Sequence, residues 1–182
     1  MQNMTKKIDR LLQVLTVLSL ALAMVACSPA LNWRRVTVDH AGVQLLMPCK
    51  PEQASKDMRI QPELSVILKL QGCEASGMHF TLARMQVPKS LTSTDVLTTW
   101  QKASLASMGA EQQEAVTTNW PLKSSKQTPA PDRVLVQNAQ HQVQMLWFVV
   151  ADEIYQAAVY GKSNEKQLSA AAETYFTGIE LP

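Results

Sequence analysis

The sequence has 182 residues, 46% of them hydrophobic, 18% charged and 5% aromatic, which suits one globular domain. Six Gly and nine Pro exclude a collagenous or low-complexity chain. Seventeen Lys and Arg stand against fifteen Asp and Glu; residues 1–26 hold three of the bases (Lys6, Lys7, Arg10) and one of the acids (Asp9), so fourteen of each sign remain from Cys27 onward. That formally neutral body lacks the concentrated basic footprint that releases phosphate counterions, and no nucleic-acid partner is expected.

Residues 11–26 carry no charge, and only Gln13, Thr16 and Ser19 among them are polar. Preceded by Lys6, Lys7 and Arg10, the stretch has the basic and apolar regions of a secretory signal. As a helix it would cover about 24 Å, short of the roughly 30 Å hydrocarbon core, which disfavours a permanent membrane span. The small residues Ala21, Ala23 and Ala26 lead into Cys27. Met24-Val25-Ala26-Cys27 resembles the lipobox of bacterial lipoproteins, although Met24 stands where Leu is usual. The resemblance implies a signal peptide over residues 1–26, lipidation (palmitate or a similar acyl chain) of Cys27, and a short tether over residues 27–32. The competing reading is ordinary cleavage at an Ala-x-Ala site, such as after Ala23. Mature lipoproteins of this type carry three acyl chains, and several chains anchor far more firmly than one. In that family pattern Ser28 is compatible with transport to the outer membrane, so an outer-membrane lipoprotein facing the periplasm is expected; inner-membrane anchoring or a soluble periplasmic form are the alternatives.

With Cys27 assigned to lipid, Cys49 and Cys73 are the remaining thiols, and an oxidising compartment makes them a natural disulfide pair. A metal site using Cys49, Cys73 and His79 has spacing that matches no compact ligand motif, so no metal is expected. Without a Cys-x-x-Cys, thiol oxidoreductase chemistry has no support.

The mature chain alternates from Trp33 through Val36 and Val38, and the turn residues Asp39-His40-Ala41-Gly42 lead into residues 43–47, predicting an N-terminal β-hairpin. Pro48, Pro51 and Pro62 predict an edge segment or loop over 48–63, with at most a short strand near 56–60. Leu64, Val66, Leu68 and Leu70 share one face, Glu74-Ala75-Ser76-Gly77 makes a turn, and Met78, Phe80, Leu82 and Arg84 share a face of the next strand. The period then changes: Ser93 or Thr94 caps a helix in which Val96, Leu97, Trp100, Leu105 and Met108 recur every three or four residues, and Gly109 closes it.

A strand is expected over 115–120, a polar, proline-studded loop over 121–131, a hairpin from 133–138 and 141–150 around Ala139-Gln140, and a further strand over 154–160 after the turn Ala151-Asp152-Glu153. Ser163 and Asn164 precede a last helix striped with Leu168, Ala171, Ala172, Tyr175 and Phe176. Short turns demand antiparallel pairing, so residues 33–182 should form one α+β domain: a single antiparallel sheet with two main helices packed on it.

The strand Ile154-Tyr155-Gln156-Ala157-Ala158-Val159-Tyr160-Gly161 and the closing Tyr175-Phe176-Thr177-Gly178-Ile179-Glu180-Leu181 resemble the PsbP/Mog-type fold, which includes DcrB-like bacterial lipoproteins. The resemblance implies a non-enzymatic accessory or binding module. It supplies no catalytic residue.

His40, His79 and His141 lack any nucleophile elbow, and the glycines form no phosphate-binding loop. No enzyme and no cofactor are therefore expected. Asp152-Glu153 reads as a solvated turn. Trp33, Trp100, Trp120 and Trp147 suit core packing first, with Trp120 before Pro121 the main exception; Trp100 and Trp120 mark a candidate ligand groove, sought between the helix at 94–108 and the sheet, and a carrier would use a pocket under the 121–131 loop. Two functions are consistent with these readings: a membrane-tethered module that meets an envelope protein partner, or a periplasmic small-ligand carrier.

Overall fold

The computed structural model describes residues 31–38, 42–109, 115–122 and 130–182. Residues 1–30, with Cys27 and the segment expected to be a signal peptide, residues 39–41, where a turn was expected, and residues 110–114 and 123–129 lie outside the described residues. The chain forms two units, Met1–Asn32 and Trp33–Pro182; of the first, only Leu31 and Asn32 are described.

In the second unit, β1 (Arg34–Thr37) and β2 (Gln44–Met47) pair as a two-stranded sheet of their own. The other strands are β3 (Glu52–Gln61), β4 (Leu64–Ala75), β5 (Met78–Gln86), β6 (Val116–Asn119), β7 (Asp132–Gln137), β8 (His141–Val150) and β9 (Glu153–Lys162). They form one seven-stranded sheet in the order β3-β4-β5-β9-β8-β7-β6, antiparallel at each step. Helix α1 (Ser93–Ser107) follows β5, and α2 (Leu168–Thr177) follows β9. The expected α+β architecture is present, with one correction: the N-terminal hairpin does not join the main sheet.

Local chemistry explains the main turns and caps. Ser76 and Gly77 have φ of 53° and 70° between the paired Ala75 and Met78, the positive-φ conformation that a two-residue hairpin needs. Thr92, one residue earlier than expected, caps α1: its Oγ1 accepts from the Asp95 amide at 3.2 Å. The last helix starts at Leu168 rather than directly after Asn164, because Glu165 holds a turn there: its amide donates to the Lys162 carbonyl at 3.0 Å, and its carboxylate accepts from the Gln167 amide at 3.0 Å. Residues 48–63 contain a ten-residue strand at the sheet edge, where an edge segment or loop with at most a short strand near 56–60 was expected. Pro51 and Pro62 flank that strand and sit outside its ladder, so neither removes a hydrogen bond from it.

Successive strand residues face opposite sides of a sheet, and the two helices use both sides. On one side Val96, Leu97, Trp100 and Leu105 of α1 pack with Ala83, Met85, Met145, Trp147, Ile154 and Ala158. On the other, Tyr175 of α2 meets Phe80 edge-on at 5.7 Å, and its hydroxyl donates to the Thr81 carbonyl at 2.9 Å. The β1–β2 hairpin covers this second face beside α2, joined through Gln44 and Glu180, whose backbones exchange hydrogen bonds of 2.9 and 2.8 Å. Gly178 is needed at that junction, since a Cβ there would stand 2.7 Å from Leu46 Cγ. Among the described residues no helix is long and apolar enough to cross a membrane.

Candidate functional site

The site starts from a fork in the sheet. β4 and β5 pair from Ala75 and Met78 as far as Lys69 and Arg84, and there the ladder stops although both strands continue. Beyond that point β4 stays with β3, out to the pair Gln61 and Leu64, while β5 stays with β9, out to Gln86 and Glu153. Two local features separate them. The β3–β4 register shifts between Arg59 and Gln61, and the Val87 amide donates to the Asp152 carbonyl at 2.7 Å just before Pro88, holding the end of β5 to the β9 side. Two clefts flank the fork. One, of about 360 Å³, is lined by Val38, Gln53, Ser55, Lys69, Gln71 and Arg84; the other, of about 510 Å³, by Ser65, Ile67, Lys69, Arg84, Val87 and Lys89 among others.

Register sets the floor of the first cleft. Ser55, Lys69 and Arg84 lie side by side across three strands, and Gln53, Gln71 and Leu82 form the parallel row. Both rows belong to the face that carries Phe80 and α2, because all these β5 positions are even-numbered. Arg84 Nη1 lies 2.6 Å from Glu153 Oε1, with the two side chains only 13% and 21% exposed. The other Glu153 oxygen accepts the Tyr155 hydroxyl, and Phe148 stacks on the Tyr155 ring at 5.0 Å. Arg84 is thus fixed in place. Lys69 is exposed and has no ion-pair partner among the described residues. Gln71 Nε2 is buried without a hydrogen-bond partner, an arrangement that costs about 1–3 kcal/mol. Two cations and no acid line this cleft, and Glu153, the acid lining its neighbour, is engaged by Arg84 and Tyr155.

Burial raises the pKa of all three tyrosines of the sequence, Tyr155, Tyr160 and Tyr175; at Tyr155 the Glu153 carboxylate adds to the effect. A phenol whose folded-state pKa exceeds its unfolded value makes the unfolded chain lose protons first as pH rises. The associated stability is complete below about pH 10 and is lost above it. Tyrosinate absorbance in an alkaline titration is accordingly expected to appear together with loss of secondary structure; tyrosinate forming on the folded protein near the ordinary phenol pKa would contradict this.

The two indoles expected at the groove are separated: Trp100 belongs to α1, whereas Trp120 lies against α2. Trp100 is 4% exposed and fills the space between α1 and the sheet, so no groove remains at that position. Trp120 meets Phe176 of α2 edge-on at 6.1 Å and lines a separate apolar hollow of about 240 Å³ with Leu122 and Ile179. The Arg133 guanidinium lies 4.7 Å from the Trp120 ring centre and 5.6 Å from that of Phe176. It also donates to Gln144 Oε1 through both Nε and Nη2 and pairs with Glu173 at 3.1 Å, while Gln144 Nε2 donates to Ser169 Oγ at 3.2 Å. Because Gln144 is only 2% exposed, Arg133→Met should leave its carbonyl oxygen unpaired and destabilise the fold by about 2–3 kcal/mol in urea denaturation. A loss below about 0.5 kcal/mol would place Arg133 among ordinary surface charges.

His79 and His141 are exposed; the nearest acid to His79 is Glu74, at 3.9 Å. Cys49 and Cys73 are joined as a disulfide. Among the described residues no cluster of three His, Cys, Asp or Glu side chains could hold a metal ion. Glu153 corrects the reading of Asp152-Glu153 as a solvated pair: it belongs to β9 and is half-buried against Arg84, whereas Asp152 accepts from Gln86 Nε2 at 2.9 Å. Lys69, Gln71 and Glu153 were missed by sequence reasoning. The one legible signal was Arg84, a charge on the same face as Met78, Phe80 and Leu82.

No protein-family model and no curated protein sequence matches the chain. Among solved structures it is similar to cyanobacterial PsbP (CyanoP) from Synechocystis sp. PCC 6803, at 12% identity over 86% of this chain and 96% of that one, with a TM-score of 0.45. No residue role is transferred from that likeness.

Proposed function

We propose that this protein is a lipid-tethered, periplasm-facing envelope module that works by binding rather than by catalysis. The observation that carries the reading is the Cys49–Cys73 bridge, which occupies both cysteines left once Cys27 is assigned to lipid and belongs in an oxidising compartment. The lipobox-like Met24-Val25-Ala26-Cys27 supplies the anchor, and Ser28 favours the outer membrane. Exposed His79 and His141 suit solvated side chains better than a general base. A tether confines encounters to a thin layer and raises the effective concentration of an envelope partner without new contacts. Fractionation of cells producing the wild type and Cys27→Ala tests this. The wild type should sediment with membranes and crosslink there to a partner, and the variant should lose both properties; equal fractionation of the two would overturn the proposal.

A second reading, a periplasmic small-ligand carrier, is favoured by one observation: Gln71, whose amide nitrogen is buried without a hydrogen-bond partner, lines the 360 Å³ cleft. Pockets that hold small molecules combine such a volume with a few convergent polar groups.

A further inference from the structure

We infer that the cleft at the fork binds a small oxyanion, a carboxylate or phosphate group, held by the Lys69 ammonium, the Arg84 guanidinium and the Gln71 side-chain amide. The inference deepens the carrier reading and rests on it, but it is independent of the anchor at Cys27.

Charge, geometry and an unmet hydrogen bond agree on this ligand class. Lys69, Arg84 and Lys89 line the two clefts with Glu153 as the acid beside them, and Glu153 already accepts from both Arg84 and Tyr155. Among the described residues neither cleft is lined by a free carboxylate, the exposed Asp57 standing one same-face position beyond Ser55, whereas an anion finds an ammonium and a planar guanidinium on adjacent strands. The Arg84–Glu153 pair positions the guanidinium without cancelling the field of Lys69. Gln71 shares a wall with Lys69, two residues along the same strand and on the same face. Its Nε2 is buried without a partner in the ligand-free chain, so turning the side-chain amide into the cleft to meet a ligand acceptor would relieve an unmet hydrogen bond. The fork gives access to the site, because beyond Lys69 no strand of the sheet closes the gap between β4 and β5.

The test uses the full-length protein, purified in neutral detergent at low ionic strength. It is titrated with inorganic phosphate and, separately, with water-soluble dihexanoyl phosphatidylglycerol, and the side-chain amide resonances of Gln71 are followed by NMR. Saturable binding with a shift of those resonances is expected, weakening as salt is added. Lys69→Gln should reduce affinity at least tenfold, as loss of one charge-assisted hydrogen bond implies. Gln71→Met should do the same while leaving the ligand-free Tm unchanged or raising it by about 2–4 °C, since it removes an unsatisfied buried donor. Lys102→Gln, an exposed position on α1, should bind like the wild type. Phosphate binding alone supports the site and indicates a soluble anion, whereas tighter binding of the short-chain lipid supports it and indicates a headgroup.

The inference is overturned if neither probe binds saturably, if the Gln71 amide does not respond, or if Lys69→Gln binds like Lys102→Gln. Mass spectrometry of small molecules released from the cell-extracted protein separates the two failures. A neutral compound released without phosphate binding overturns the anion assignment alone; no released compound and no probe binding overturns the carrier reading with it.

Discussion

Phe80→Ala is expected to destabilise the domain by about 3–5 kcal/mol, the usual cost of emptying a fully buried aromatic site. Phe80 is 0% exposed and sits mid-strand in β5, with two rings edge-on to it: Trp33 at 5.7 Å and Tyr175 at 5.7 Å. Deleting it therefore removes a ring contact that holds both Trp33, the first residue of the folded unit, and the last helix to β5. Edge-to-face pairs contribute beyond their buried area, which places the cost above that of an isolated Leu-to-Ala change in a forgiving site. Phe80→Leu, which refills most of the volume, should recover more than half of the loss in the same urea titration. Equal loss from both substitutions would show that ring contacts rather than volume set the cost, and a loss below about 1 kcal/mol from Phe80→Ala would show that the layer around it repacks freely.

Removing the Cys49–Cys73 bridge is the second large effect, at about 3–4 kcal/mol on the chain-entropy account for a bridge spanning 24 residues. The bridge closes the open end of the β3–β4 hairpin, next to the pair Glu52 and Gly72. It supports a strand that needs support: β3 lies at the sheet edge and is exposed along most of its length, so little apolar burial holds it. The double variant Cys49→Ala/Cys73→Ala, or the wild type under reductant, should show a lower urea midpoint, with hydrogen exchange accelerated first in residues 52–61. The same hairpin carries Gln53, Ser55, Lys69 and Gln71, so fraying there is expected to weaken any ligand held in the cleft. A midpoint unchanged by reduction would mean that strand pairing alone fixes the hairpin.

Elements with a clear period were legible in the sequence. Leu64, Val66, Leu68 and Leu70 alternate, Ser76-Gly77 supplies the turn, and Val96, Leu97, Trp100 and Leu105 recur with the helical period; each forms the element it predicts. β3 was hidden because Glu52-Gln-Ala-Ser-Lys-Asp-Met-Arg-Ile-Gln61 does not alternate until Met58, as an edge strand solvated on both faces need not. The pairing of β5 with β9 joins residues such as Phe80 and Val159, too distant in sequence for any local pattern to reveal. The cleft escaped for the same reason. Ser55, Lys69 and Arg84 become neighbours only through two registers, and one slipped residue would send Lys69 to the other face. Trp100 and Trp120 are parted by layering: Trp100 packs from α1 onto one side of the sheet and Trp120 against α2 on the other, a separation that their spacing in the sequence does not encode.

The most direct test of the central proposal is the intact mass of the protein purified from its own membranes. A chain that starts at Cys27 and carries a thioether-linked diacylglycerol together with an amide-linked acyl chain is the predicted result. A chain that retains residues 1–26, or one cut elsewhere with Cys27 unmodified, would contradict it.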